Sequence, residues 1–242
     1  MQELAVLASS VLASQRQFTA VADNVANVNT QGFRKLEMEF RESVSRPNNH
    51  ATASYVEDRA IRINQSEGSL TSTGNQLDLA LGGSGFFAVN VNGTTQYTRR
   101  GQFVINSEGV ITTPEGYPLL DTAGAQIEIP EGTVNVKIAE DGTVSNEDGQ
   151  LAQVGVYDFS PTDIKKLKRA GTTAFIPMFG AAAQTVDAPT IKQGFLEGSN
   201  VNAVEEMVNL QAVTRAYENS AKLMNGLEDM EDRAIRTLGT AQ

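Results

Sequence analysis

No cysteine and no tryptophan occur among the 242 residues, and there is one histidine, His50. Without thiols, disulfides, thiolate catalysis and cysteine-ligated metals are excluded, and the chain can work outside the cytoplasm without thiol oxidation. Aromatic residues make up 6% of the chain, which disfavours a large aromatic-lined ligand pocket. Basic residues are in deficit: 19 Lys and Arg against 29 Asp and Glu give a formal net charge of −10. An acidic chain repels phosphate backbones, so no nucleic-acid partner is expected. The one dense basic run, Lys165-Lys166-Leu167-Lys168-Arg169, is short and reads as a solvated loop or helix end. No stretch approaches the ~18 uninterrupted apolar residues of a membrane span, so direct membrane insertion is not expected. Met1 to Val28 lacks the basic n-region and dense apolar core of a Sec signal peptide, so work outside the cytoplasm requires another export route.

What is present is two similar ends around a different middle. Leu4, Leu7, Val11, Ser14, Phe18, Val21, Val25 and Val28 alternate spacings of three and four, a heptad seam with one polar member. The spacing predicts a helix over residues 3–28. Small residues fill much of its remaining surface (Ala5, Ala8, Ser9, Ser10, Ala13, Ala20, Ala22), so neighbouring helices can approach from several sides. The C-terminal end repeats the pattern with Leu210, Val213, Tyr217, Ser220, Met224 and Leu227, while Met230, Ala234 and Leu238 continue it with a shift of phase. Asn200 or Asn202 suits the N-cap, Glu205 and Glu206 suit the first turn, and Gly239 follows the last apolar residue. Alone in water such helices are marginal, because packing supplies most helix stability. Each seam residue contributes roughly 1.5–3 kcal/mol when fully buried.

The centre changes period. Phe87, Val89 and Val91 alternate with Ala88 and Asn90; Gln126 to Ile129 and Val134 to Ile138 alternate likewise. Turn-forming pairs punctuate the run, among them Asn92-Gly93, Glu108-Gly109, Glu115-Gly116, Asp141-Gly142 and Asp148-Gly149. These features predict an α+β chain: an N-terminal assembly helix (1–35), an extended linker (36–76) with one short strand near Tyr55–Ile63, a central all-β domain (77–190) and a C-terminal assembly helix (191–242). The two helices are expected to pair with each other and with copies from neighbouring subunits in a coiled-coil-like assembly domain.

Three strings carry a family resemblance. The first runs Ala22-Asp23-Asn24-Val25-Ala26-Asn27-Val28-Asn29-Thr30-Gln31-Gly32-Phe33-Arg34-Lys35. The second is Gly85-Phe86-Phe87-Ala88-Val89 with Tyr97-Thr98-Arg99-Arg100-Gly101-Gln102-Phe103. The third joins Gly194-Phe195-Leu196-Glu197-Gly198-Ser199-Asn200-Val201-Asn202, then Val204-Glu205-Glu206-Met207-Val208-Asn209-Leu210, then Arg215-Ala216-Tyr217-Glu218. Together they resemble the signatures of the flagellar rod and hook proteins, in that family's order. Asp23 stands where the family commonly has a second Asn. The single β domain is similar to rod rather than to the longer hook proteins. The ending from Gly226 to Arg236 is more similar to the proximal-rod member, with the distal-rod member as the alternative.

The resemblance implies a structural, non-enzymatic subunit without cofactors, located in the flagellar basal body across the periplasm. It further implies export through the flagellum's own type III apparatus and self-assembly, with copies of itself and other rod proteins, into a tubular drive shaft that transmits torque and encloses the export channel. By this resemblance Asn24, Asn27, Asn29, Thr30, Gly32, Phe33, Gly198, Ser199, Asn200, Val201, Asn202, Glu205, Met207, Arg215, Ala216 and Tyr217 form the family motif.

Two other readings compete. For an enzyme, His50 lies in a Pro-Asn-Asn segment that favours an exposed bystander, Gly82-Gly83-Ser84-Gly85 lacks nucleophile-elbow spacing, and the carboxylates Glu205, Glu206 and Glu228 to Asp232 read as solvated helix faces. For a β-rich ligand- or calcium-binding module, Asp141-Gly142 and Asn146 to Gly149 supply oxygens, but hairpin turns account for both and EF-hand spacing is absent.

Overall fold

A computed structural model describes residues 2–45, 53–133 and 135–239. His50, the Pro47-Asn48-Asn49 segment before it and Val134 lie outside the described residues. The chain divides into two compact units, one of Met1–Ala26, Leu36–Arg62 and Asn202–Gln242, the other of Asn27–Lys35 and Ile63–Val201.

The first unit is built on two helices, α1 (Gln2–Ala26) and α2 (Ala203–Gly239). They run antiparallel. Ser10 Oγ lies 3.5 Å from Ser220 Oγ, and Asn24 Nδ2 donates to Glu206 Oε2 at 3.1 Å. Fourteen residues separate the two contacts on each helix, two heptads or about 21 Å of rise. The same unit holds β1 (Leu36–Ser45) and most of β2 (Ala53–Ile63), which pair as a two-stranded sheet. The stretch expected as an extended linker with one short strand therefore contains two long paired strands. Leu36, Met38 and Phe40 alternate with Glu37, Glu39 and Arg41, which is the period that a strand requires.

The second unit is all β. Its strands are β3 (Leu70–Ser72), β4 (Leu79–Gly82), β5 (Phe86–Val91), β6 (Thr94–Thr98), β7 (Val104–Ile105), β8 (Ile111–Thr112), β9 (Lys137–Ile138), β10 (Thr143–Asn146), β11 (Gly149–Gln153), β12 (Val156–Phe159), β13 (Leu167–Ala170), β14 (Ala174–Pro177), β15 (Ala183–Thr185), β16 (Thr190–Gln193) and β17 (Phe195–Glu197). The largest sheet has the order β13-β14-β6-β5-β12-β15; β11-β10-β9 form a second, and β16-β4, β17-β3 and β7-β8 pair separately. The β-rich unit is thus wider than the expected 77–190, because β3 and β17 pair at its edge and residues 27–35 join it.

Strand β5 explains the core. Its odd positions, Phe87 and Val89, enter one buried cluster with Leu79, Phe103, Ile111 and Leu119. Its even positions, Phe86 and Ala88, enter another with Tyr97, Phe159 and Phe175. The sheet is covered on both faces, so the strand is apolar on both rather than on one. Ile127, Ile129, Val136 and Ile138 are buried with exposed residues between them, as the period-two pattern requires. The β5–β6 turn is Asn92-Gly93, both at positive φ (51° and 84°), the tight hairpin geometry that this dipeptide favours.

Candidate assembly interface

On α1, the helix face most deeply buried is Ala13, Ala20 and Asn24, with Ser10 and Gln17 half-buried along the same line. Relative to the heptad seam this face is set back by one residue, a rotation of about 100°. Small side chains there let α2 approach closely, since interaxial distance follows the side chains at the contact. Of the seam residues, Val21 is buried, Val11 and Val25 are half-buried, and Phe18 is 41% exposed; Leu12, outside the seam, is exposed too. Val28 lies in a turn beyond the end of α1. On α2, Val213 is buried, Leu210 and Met224 are half-buried, and Tyr217 is exposed. Leu4, Leu7 and Leu227 sit on the helices, with side chains outside the described ones. The outer surface of α2 carries Val204, Met207, Val208, Leu223 and Met230, all exposed, with Glu205, Arg215 and Ala216 also on the surface.

The base of the helix pair is polar and closed. Asn24 pairs with the Leu36 backbone in both directions: Nδ2 donates to the Leu36 carbonyl and Oδ1 accepts its N–H, each at 2.9 Å. The side chain thereby acts as one more ladder partner at the start of β1. Asn202 is the N-cap of α2, its Oδ1 accepting the Val204 and Glu205 N–H groups at 3.1 and 3.3 Å. The reading of Glu206 as a solvated carboxylate does not hold: it is 1% exposed, and its oxygens accept Asn24 Nδ2 and Asn209 Nδ2. A carboxylate in the first turn of a helix also faces the positive end of the dipole, which offsets part of its desolvation.

In the β unit the motif residues gather around one buried carboxylate. Glu197 ends β17, and its Oε1 lies 2.9 Å from Arg34 Nη2, its Oε2 3.3 Å from Arg99 Nη1. The Gly68 N–H donates to the same carboxylate at 3.0 Å. Arg34 also donates to the Ser66 carbonyl, and Arg99 to the carbonyls of Leu81 and Gly83. Burial, then the nearby Arg34 guanidinium, pull the Arg99 pKa down to about 10, with Glu197 opposing; Arg99 stays charged at neutral pH. Around this centre, Gly32 N–H donates to the Glu197 carbonyl at 2.8 Å. Asn200 Oδ1 accepts the Lys35 N–H at 2.7 Å, while its Nδ2 donates to the carbonyls of Asn64 and Ser66. Phe33 is buried beneath the Arg169 guanidinium, 4.3 Å from the ring centre. Thr30 Oγ1 donates to Asn27 Oδ1 at 3.1 Å, closing the turn after α1, with Asn29 exposed. Ser199 Oγ accepts the N–H of buried Val201, and Gly198 N–H donates to the Ser69 carbonyl.

Arg34, Arg99, Glu197 and Glu206 belong to the quoted strings, but nothing in their spacing singled them out as a buried network. Among the described residues, no cluster of three His, Asp or Glu is placed to hold a metal, and no helix is long and apolar enough to cross a membrane. The Asp141 and Asn146 oxygens accept turn N–H groups of Thr143, Asp148 and Gly149. Lys168 and Arg169, expected in a loop or helix end, lie on strand β13.

These geometries define a chain whose two ends are paired helices and whose signature strings knot together the base of each unit. The family described as the flagellar hook protein FlgE/F/G D1 domain matches residues 80–146, and the flagellar basal body rod FlgEFG protein C-terminal family matches residues 192–237. The chain is 36% identical to a flagellar basal-body rod protein FlgF of Mesorhizobium japonicum, over 98% of both chains. It is 37% identical to FlgF of Rhizobium meliloti over 98% of this chain and 97% of that one. It is 30% identical to the rod protein FlgG of Bacillus subtilis over 89% of this chain and 91% of that one. The chain belongs to the flagellar basal-body rod protein family.

Proposed function

We propose that this protein is a structural, non-enzymatic subunit of the bacterial flagellar proximal rod. It joins copies of itself and other rod proteins through α1 and α2, in coiled-coil-like packing, to build the tubular shaft that transmits torque and surrounds the export channel. It reaches the basal body, across the periplasm, through the type III export apparatus. The proximal position is supported by the higher identity to FlgF relatives, 36% against 30% for FlgG relatives, and a distal-rod place is the second reading. The observation that carries the assembly mode is the apolar surface left on helices that already pack together: Phe18 and Leu12 on α1, Val204, Val208 and Leu223 on α2. Exposed apolar stripes of this kind mark interaction surfaces.

The test is Val208→Glu and Leu223→Glu in the full chain, scored by assembly with rod partners and by motility of a strain lacking the native gene. Loss of both with unchanged melting temperature supports the reading, as does tolerance of alanine at single β-unit carboxylates such as Asp141. Full assembly of the charged variants, or loss of function on removing one surface carboxylate, contradicts it.

A further inference from the structure

One face of the largest sheet runs out of core before it runs out of strands. Val89 of β5 pairs with Gln96 of β6, Phe87 pairs with Thr98, and Thr98 pairs with Ala174 of β14. Side chains directly opposite one another share a sheet face, so all of these lie on one side. Phe87 and Val89 are buried there in the first core cluster. Farther out, Gln96 and Ala174 are half-buried, and the face opens into a hollow of about 380 Å³. Two turns wall it. Residues 113–117 close on themselves, with Thr113 N–H donating to the Tyr117 carbonyl and Gly116 N–H to the Thr113 carbonyl, each at 2.8 Å. The β13–β14 turn is tied down by Arg169 Nε donating to the Thr172 carbonyl and Thr98 Oγ1 to the Thr173 carbonyl, at 2.9 and 3.1 Å. The hollow is thus pre-formed, and its size falls in the range of small-molecule sites.

Its lining is amphipathic and carries no unpaired charge. Val89, Val91 and Ala174 supply apolar surface. The charged side chains that line it, Arg100 and Glu115, are paired with each other, and Arg100 Nη2 also donates to Gln102 Oε1. Neutral polar groups are left over: among the described residues, nothing hydrogen-bonds the Gln96 side-chain amide or the hydroxyl of Tyr117, a residue packed against the core. Amide and hydroxyl each offer a donor and an acceptor. An ion entering this hollow sheds water without meeting a free counter-charge, which is costly. A neutral ligand with hydroxyls at its edge and C–H groups on its faces matches both halves of the lining. We propose that the hollow binds a pyranose ring of a neutral glycan, with Gln96 and Tyr117 bonding its hydroxyls and the two valines against its C–H groups. A cavity of about 150 Å³ accepts a benzene ring, so one hydroxylated six-membered ring fits, with room for the linkage to the next.

The test titrates the isotope-labelled full chain with chitohexaose and, separately, with maltohexaose, following backbone amide shifts by NMR. At least one of the two is expected to give saturable shifts confined to residues 89–100, 113–117 and 170–174, with half-saturation at about 1 mM. Gln96→Ala removes the amide, and Tyr117→Phe removes the hydroxyl while keeping the ring. Each is expected to raise the half-saturation concentration roughly threefold to tenfold without lowering the melting temperature. No saturable shift with either oligosaccharide, shifts mapped elsewhere, or full-strength binding by both variants overturns the inference. Those outcomes leave the rod-subunit reading standing, because it is judged separately on assembly of Val208→Glu and Leu223→Glu.

Discussion

Glu197 and Arg34 meet with Oε1 and Nη2 2.9 Å apart and both side chains at most 2% exposed, although one residue follows α1 and the other precedes α2. Arg99 completes the arrangement on the other carboxylate oxygen. Two buried guanidiniums share one carboxylate, so the cluster carries excess positive charge that neutral carbonyls of Ser66, Leu81 and Gly83 help to solvate. Such a group contributes little net stability when intact but costs much when one partner is removed.

Glu197→Gln therefore leaves two buried cations without the carboxylate they share. Urea unfolding at pH 7 is expected to show a loss of about 3–5 kcal/mol, far above the effect of removing the exposed carboxylate of Asp148. A loss below about 1 kcal/mol, the usual worth of a surface pair, would show that the cluster is solvated in the native state.

Asn24 serves a strand start and a helix carboxylate at once. Asn24→Ala removes three hydrogen bonds and leaves Glu206 buried without that donor. The expected cost is about 1–3 kcal/mol. Asn24→Asp is expected to cost more at neutral pH, since it faces the Glu206 carboxylate and cannot donate to Leu36. Calorimetry at pH 7 reads the difference. Equal melting temperatures for the two variants at pH 7 would contradict the proximity.

Gly32 has a φ of 68°, and a Cβ there would lie 2.3 Å from the Arg100 backbone nitrogen. Left-handed backbone alone costs a residue with a side chain about 1 kcal/mol, and this clash is with main chain that cannot rotate away. Gly32→Ala is expected to exceed that figure in denaturant unfolding. Gly124→Ala, also at positive φ but with open space, isolates the backbone part.

Alkaline pH tests the second core. Burial, with Tyr157 adding, holds the Tyr97 hydroxyl above its ordinary 10.0; burial, with Asp121 adding, does the same for Tyr157. The folded state then binds more protons than the unfolded chain above pH 10. This stabilisation is fully present below that value and lost as pH rises through the folded pKa values. Arg99, lowered to about 10, has the opposite sign in that window. The double variant Tyr97→Phe, Tyr157→Phe is therefore expected to keep more of its pH 8 stability at about pH 11 than the native protein does. Parallel pH profiles would remove the tyrosines from the account.

The terminal helices, the β-rich middle and its tight turns were legible because period and turn chemistry are local properties. Phe87 and Val89 announced β5, and Asn92-Gly93 its turn. Which side of α1 meets α2 was not legible: the valines and Phe18 make the strongest periodic signal, yet the small residues one position away permit the closest approach. The strands at 36–45 and 53–63 were hidden by polar composition, although Leu36, Met38 and Phe40 carry the period. The Arg34–Glu197–Arg99 cluster depends on contacts between distant segments, which spacing along the chain does not encode. Glu206 looks like any helix-start acid until the Asn24 amide is placed over it.

The most direct test of the central claim, that α1 and α2 are assembly elements completed by neighbouring copies, is hydrogen exchange on the purified full chain, free and then mixed with other rod proteins. The account predicts strong protection in residues 77–190 in both states. It predicts weaker protection of the paired helices α1 and α2 than of residues 77–190 when free, and a large gain of protection in both helices in the mixture. Helices already protected in a monomer and unchanged by every rod partner would contradict it.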